Sequence, residues 1–163
     1  MTRTSLTVDV NIEAGAWQAA TPDLPAFIER ALDAALQTVD DLPSEVEVSV
    51  LLTDDAHQQI LNLQWRGQDK PTNVLSFPAG EDEPHPGQPL LLGDISLAFE
   101  TLDREALDLQ KSLADHLCHL LVHGMLHLLG FDHEAQADAD EMEPLEIKVL
   151  DGLGISSPYP DRA

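Results

Sequence analysis

The sequence has a single cysteine, few basic residues, and no apolar run that reads as a membrane span. Cys118 alone excludes an intramolecular disulfide, which fits a reducing compartment. The start, Met1-Thr2-Arg3-Thr4-Ser5-Leu6-Thr7, lacks an apolar core, so no secretory signal is expected. The most apolar stretch, Leu113 to Phe131, is interrupted by Asp115 and four histidines, which is wrong for a segment buried in lipid. No internal repeat and no long linker divides the chain. The expectation is a single cytoplasmic domain over residues 1–163, with 43% hydrophobic content to build its core.

Positive charge is scarce. Eight Lys and Arg face thirty Asp and Glu, a formal net charge of −22. Such a field repels nucleic acid and other polyanions at long range. A solvated acidic surface is the plain reading. A nucleic-acid substrate would need a local basic site, a metal or a partner to hold it.

Residues Leu6 to Ile12 alternate apolar and polar and predict a strand with one buried face. Phe27, Ile28, Ala31, Leu32, Ala35 and Leu36 recur at helical spacing. Val46 to Leu52 reads as a second strand. Thr53-Asp54-Asp55 caps a helix running to about Trp65, whose Ile60, Leu61 and Trp65 are expected in the core. The polar loop 66–72 leads into a short strand, Asn73 to Phe77, stopped by Pro78. Residues 79–90 are acidic and rich in Pro and Gly and predict an exposed loop, with His85 a surface residue. Gly93 to Phe99 is the fourth strand, followed by a helix near Leu102 to Leu109.

Ser112 is placed to cap a central helix, apolar on almost every side and therefore buried. A last helix, about Asp138 to Leu153, turns Met142, Leu145, Ile147, Val149 and Leu150 inward and its acids outward. The tail around Tyr159 carries no signal. This order predicts an α+β fold: a small mixed sheet of about four strands with helices packed over it and the histidine helix central.

His116, His119, His123 and His127 span an arc of only about 80° on that helix, so all face one way. One buried histidine is most often a satisfied core residue, which covers His116 or His119. Four on one face are harder to dismiss, because each buried imidazole needs hydrogen-bond partners. Axial rise separates His119 from His127 by about 12 Å but His123 from His127 by only about 6 Å. Gly130 can leave the helix with positive φ, letting His133 fold back toward that pair. Three imidazoles leave one position open on a tetrahedral metal, as at catalytic zinc sites. Zinc fits this donor set best, with nickel, copper or iron as alternatives. An open zinc site brings the pKa of bound water to about 7, which points to hydrolysis.

His123, His127, Gly130 and His133 match the ligand and turn positions of the metzincin pattern H-E-x-x-H-x-x-G-x-x-H. Gly124 stands where those proteases carry their general-base glutamate, which weakens the peptidase reading. A phosphodiester instead needs charge neutralised on its oxygens, and an arginine fork such as Arg66 can hold two of them.

The chain resembles the YbeY family of rRNA maturation endoribonucleases. The likeness rests on His123-Gly-x-Leu-His127-Leu-x-Gly130-x-Asp132-His133, on Leu61-Asn62-x-x-Trp65-Arg66 followed by Lys70 to Pro78, and on Gly93-Asp94-Ile95. It extends to Met142 and Glu146 and covers roughly residues 45–153. It implies one zinc per chain held by His123, His127 and His133, and hydrolysis of single-stranded RNA. Implied too is a part in rRNA 3′-end maturation and ribosome quality control in the cytoplasm. Partners would be precursor rRNA and a ribosomal subunit or ribosome-associated proteins, with no membrane and no DNA. The family arginine falls on Arg66, near the metal in a cleft. Trp65 stands where the family commonly has tyrosine. The acidic insertion around Glu81-Asp82-Glu83 and the net charge favour delivery to RNA by ribosomal partners. Asp132, beside the ligands, is read as supporting a histidine. The alternatives are a zincin-like metalloprotease and a non-catalytic zinc-containing ribosome assembly factor.

Overall fold

The computed structural model describes residues 4–40, 42–79, 87–131 and 136–159. The alternating N-terminal segment forms β1 (Ser5–Ile12), and the first helical pattern forms α1 (Leu24–Leu36). There follow β2 (Glu45–Thr53), α2 (Asp55–Arg66), β3 (Val74–Pro78) and β4 (Leu90–Ala98), then α3 (Phe99–Asp108), α4 (Leu113–Leu128) and α5 (Gln136–Gly152). The strands make one mixed sheet in the order β1-β2-β4-β3. β1, β2 and β4 are parallel, and β3 runs antiparallel to β4 at the edge. The α+β architecture expected from the sequence is the one found.

Period-two burial decides which sheet face is covered. Val46, Val48, Val50 and Leu52 of β2 are buried, and the register sets Val50 beside Ile95 and Leu52 beside Leu97. This apolar face joins α1 and α4 in the core through Ile28, Leu32, Leu36, Leu121 and Met125, all at 0% exposure. No helix among the described residues is long and apolar enough to cross a membrane.

Helix α4 runs through the centre of this core. Ser112 opens it, its hydroxyl oxygen accepting the Asp115 N–H at 3.0 Å. Gly130, at φ 105°, closes it: the Phe131 N–H reaches the Leu126 carbonyl, and the Gly130 N–H the His127 carbonyl. These paired bonds are a Schellman closure, which needs the left-handed residue at Gly130.

Two local expectations are corrected. Helix α2 is the other way round: Gln58 and Asn62 are buried, Leu61 is half-buried, while Ile60 and Trp65 are exposed. The sheet surface beneath it is polar. Gln58 donates to the Ser96 carbonyl at 2.9 Å and accepts from the Ser96 hydroxyl at 2.5 Å, and Asn62 donates to the Lys70 carbonyl. Phe99 belongs to α3, not to the fourth strand, because β4 passes into that helix at Ala98 without a turn. Its ring meets Trp17 edge to face at 5.3 Å. Trp17 sits in a short 3-10 helix (Gly15–Ala19), fully buried, and donates its indole N–H to the Thr53 carbonyl. His85 and the acidic stretch Glu81 to Glu83 lie outside the described residues.

Candidate metal centre and catalytic cleft

The four histidines of α4 divide into a structural one and a cluster. His116 is buried, and its Nε2 lies 2.8 Å from Glu105 of α3. Burial, outweighing the carboxylate beside it, pulls its pKa down, so the ring is a neutral core histidine. Glu105 also accepts from the Asn73 amide, which ties β3 to α3.

His119, His123 and Glu146 form the cluster. Glu146 is fully buried, and its carboxylate takes three partners: His119 Nε2 at 3.1 Å, His123 Nδ1 at 2.7 Å and the Tyr159 hydroxyl at 2.7 Å. Burial alone would raise its pKa, but the hydrogen bonds from His119 and His123, charge on His123, and Tyr159 together hold it down at about 2. A carboxylate that stays ionised can only accept, so the facing nitrogens of both imidazoles carry protons. In the neutral form of His123 the lone pair is therefore on Nε2. That atom lies 3.1 Å from Nε2 of His127.

Two nitrogens at that separation nearly span one edge of a tetrahedral zinc site, which is about 3.3 Å for bonds of ~2.05 Å. The donor set therefore fits a metal. A second grouping also meets the distance requirement, since one ligand atom each from His119, His123 and Glu146 lies within 4.8 Å of the others. In that grouping Glu146 would bind the ion directly. His133 and Asp132 lie outside the described residues.

His119, His123, His127, Tyr159, Ser76 and Arg66 share the wall of one cleft of about 700 Å³. Arg66, the last residue of α2, donates from Nη2 to the Ser76 carbonyl at 3.1 Å. The Ser76 hydroxyl in turn donates to the Gly124 carbonyl at 3.1 Å. The arginine is thus tethered through β3 to the helical turn between His123 and His127. Gly124 is where α4 presses on the sheet: a Cβ there would meet Ser76 Oγ and Ile95 Cγ2, both at 3.2 Å. Any side chain at this position makes Ser76 and Ile95 give way by a few tenths of an ångström, so close packing of α4 on the sheet favours glycine where the proteases carry their base.

Sequence patterns place neither Glu146 nor Tyr159 at the site. Glu146 was expected among outward-facing acids, but it lies on the buried stripe with Met142, Val149 and Leu150. An acid on an apolar stripe was the signal, since burying a carboxylate requires partners. Tyr159 comes from the tail beyond α5, where only the fold brings it to the site.

A profile described as endoribonuclease YbeY matches residues 10–154. A protein named Endoribonuclease YbeY from Bradyrhizobium diazoefficiens is 52% identical over 157 residues, covering 94% of this chain and 85% of that one. One of the same name from Paramagnetospirillum magneticum is 51% identical over 158 residues, covering 95% and 96%. The solution structure of a Thermotoga maritima protein aligns over 91% of this chain and 92% of its own, with a TM-score of 0.56 and 24% identity, a likeness of fold.

Proposed function

The chain belongs to the endoribonuclease YbeY family, and on that premise we propose that it is a zinc-dependent, single-strand-specific endoribonuclease. Its place is rRNA 3′-end maturation and ribosome quality control in the cytoplasm, as a single hydrolase domain delivered by ribosomal partners. The observation that carries the reading is the convergence of Arg66, His123 and His127 on one cleft.

In this reading His123, His127 and His133 hold one zinc through ring nitrogens, and Glu146 supports His123 from behind. Filling the Glu146 carboxylate with three protein donors favours this assignment over one in which Glu146 is itself a ligand. The zinc supplies a Lewis acid and an activated water at neutral pH. Arg66 is the side chain that holds the phosphate. Its fork matches two phosphoryl oxygens, and its tether to Ser76 sets its direction before RNA arrives. Charge developing on those oxygens is met by a guanidinium already in place.

Metal analysis of the purified protein, joined to an RNA-cleavage assay, tests this. One zinc per chain and cleavage abolished by chelator are expected. Arg66→Ala should keep its zinc and lose cleavage by roughly 100-fold or more, the usual scale for one electrostatic donor. Wild-type cleavage by Arg66→Ala removes the phosphate-clamp role. Retained rRNA maturation in cells carrying a folded His127→Ala variant would favour an assembly factor without catalysis.

A further inference from the structure

Helix α2 exposes three large apolar side chains, a feature not used by the metal site. Ile60 is 63% exposed, Leu63 49% and Trp65 65%. A tryptophan left mostly in water on a helix that also exposes isoleucine and leucine suggests a surface built for recognition. Trp65 does not stand alone. Its ring approaches Phe77 of β3 at 6.2 Å between centroids, tilted by 59°. Together they flank a groove of about 890 Å³ between α2 and the polar face of the sheet, with Leu51 and Leu61 along its wall.

This groove continues the metal cleft. Arg66, Ser76 and Pro78 line both. A strand whose phosphate sits at Arg66 therefore has a neighbouring nucleotide within reach of Trp65, the next residue on the same helix.

Charge selects which part of that nucleotide enters. Among the described residues lining the groove Arg66 is the one Lys or Arg, so the groove offers no run of cations for a phosphate backbone to follow. Asp94 lies in the groove, paired in register with Phe77. An acid there repels a phosphate but can accept a hydrogen bond from the amino group of a base. Stacking on an aromatic ring needs no positive charge and is open to any unpaired base. Bases inside a duplex are already stacked and are not offered.

We propose that the Trp65–Phe77 groove is a nucleobase subsite, in which a base of single-stranded RNA next to the phosphate at Arg66 stacks on Trp65. This rests on the endoribonuclease reading and deepens it: single-strand preference becomes a property of this groove. The subsite contributes to binding, not to bond breaking.

The protein carries its own probe. Trp17 is fully buried, so emission that responds to a ligand in solution reports Trp65. Rapid mixing of the full chain with a short single-stranded RNA should quench that emission before products appear, and the duplex of the same sequence should not. Trp65→Ala should raise KM for the single strand about fivefold or more with kcat little changed, the loss of one base–aromatic stack. Trp65→Phe should restore most of it. Leu109→Ala, an exposed apolar change at the end of α3, should change neither quantity. Because Trp65 is exposed, circular dichroism should show the variants folded. If wild type cleaves RNA without quenching, or Trp65→Ala keeps the wild-type KM, the subsite is overturned and the endoribonuclease reading stands. If wild type cleaves no RNA under any metal load, both fall.

Discussion

Replacing Glu146 by glutamine changes no volume and removes one charge, so it isolates what the carboxylate does. In the native site three donors converge on it, His123 at 2.7 Å, Tyr159 at 2.7 Å and His119 at 3.1 Å. Glutamine offers one acceptor oxygen and an NH₂ group that must itself donate. If the NH₂ faces His123, that ring has to turn its lone pair to Nδ1 and carry its proton on Nε2, the atom 3.1 Å from His127. Zinc affinity should then fall by about 10- to 100-fold, the usual cost of removing a partner behind a ligating histidine. Stability changes as well. Holding the carboxyl at about 2 instead of its ordinary 4.5 corresponds to roughly 3 kcal/mol. Because the folded value is the lower one, that contribution is full above about pH 4.5 and disappears as the pH falls toward 2. The melting temperature of Glu146→Gln should therefore lie below wild type by about 6–12 °C at neutral pH. The gap should narrow steadily below pH 4.5. The assays are zinc competition against a chelator, nitrogen-15 spectra of the imidazoles in zinc-free protein, and thermal melts across pH. Wild-type zinc affinity together with an unchanged His123 tautomer would refute the positioning role. Complete loss of zinc in Glu146→Gln, with zinc retained in His127→Ala, would instead make Glu146 a ligand beside His119 and His123.

Gly124→Glu should not create a peptidase. Its Cβ would come within 3.2 Å of Ser76 Oγ and Ile95 Cγ2, so a loss of about 1–3 kcal/mol by thermal melting is expected, and peptide cleavage by a stable variant would contradict the packing argument. Cys118 is buried and its thiol is pushed up to about 12 chiefly by burial, so a thiol reagent at pH 8 should react only after denaturant is added. Rapid labelling of native protein would mean that α4 opens far more often than its packing implies.

The approach of His123 to His127 was legible because helical geometry is local. The spacing of His123 and His127 places both rings on one face regardless of what surrounds them, and Gly130 permits the left-handed closure of α4. The mixed sheet was legible from period-two segments. What stayed hidden depends on contacts far apart in sequence. Glu146 meets His123 across 23 residues, and Tyr159 reaches the same carboxylate from the tail. Helix α2 failed for a different reason. Amphipathicity shows that a helix has two faces, but the inward one is chosen by the surface it meets. Ser96 and the Lys70 carbonyl present hydrogen-bonding groups there, so Gln58 and Asn62 turn in and Trp65 turns out. Phe99 was assigned to the strand because nothing in its residue type marks the passage at Ala98, which has no side-chain cap.

The net charge of −22 then becomes a quantitative constraint on the proposed reaction. Single-stranded RNA that neutralises Z cationic contacts loses affinity with salt at a slope of about −0.7Z. Among the described residues lining the cleft Arg66 is the one Lys or Arg, and with Lys70 of the loop that follows it counted as a second contact the slope should be no steeper than about −1.4. The acids around them add a repulsion that salt relieves, which flattens the dependence further. Affinity must then come from the metal, the arginine and stacking at short range, and removing zinc should weaken RNA binding as well as stop cleavage. Binding measured from low to physiological salt decides this. A slope steeper than about −3 would require several more phosphate contacts than this surface offers, and the short-range account of RNA recognition would fail with it.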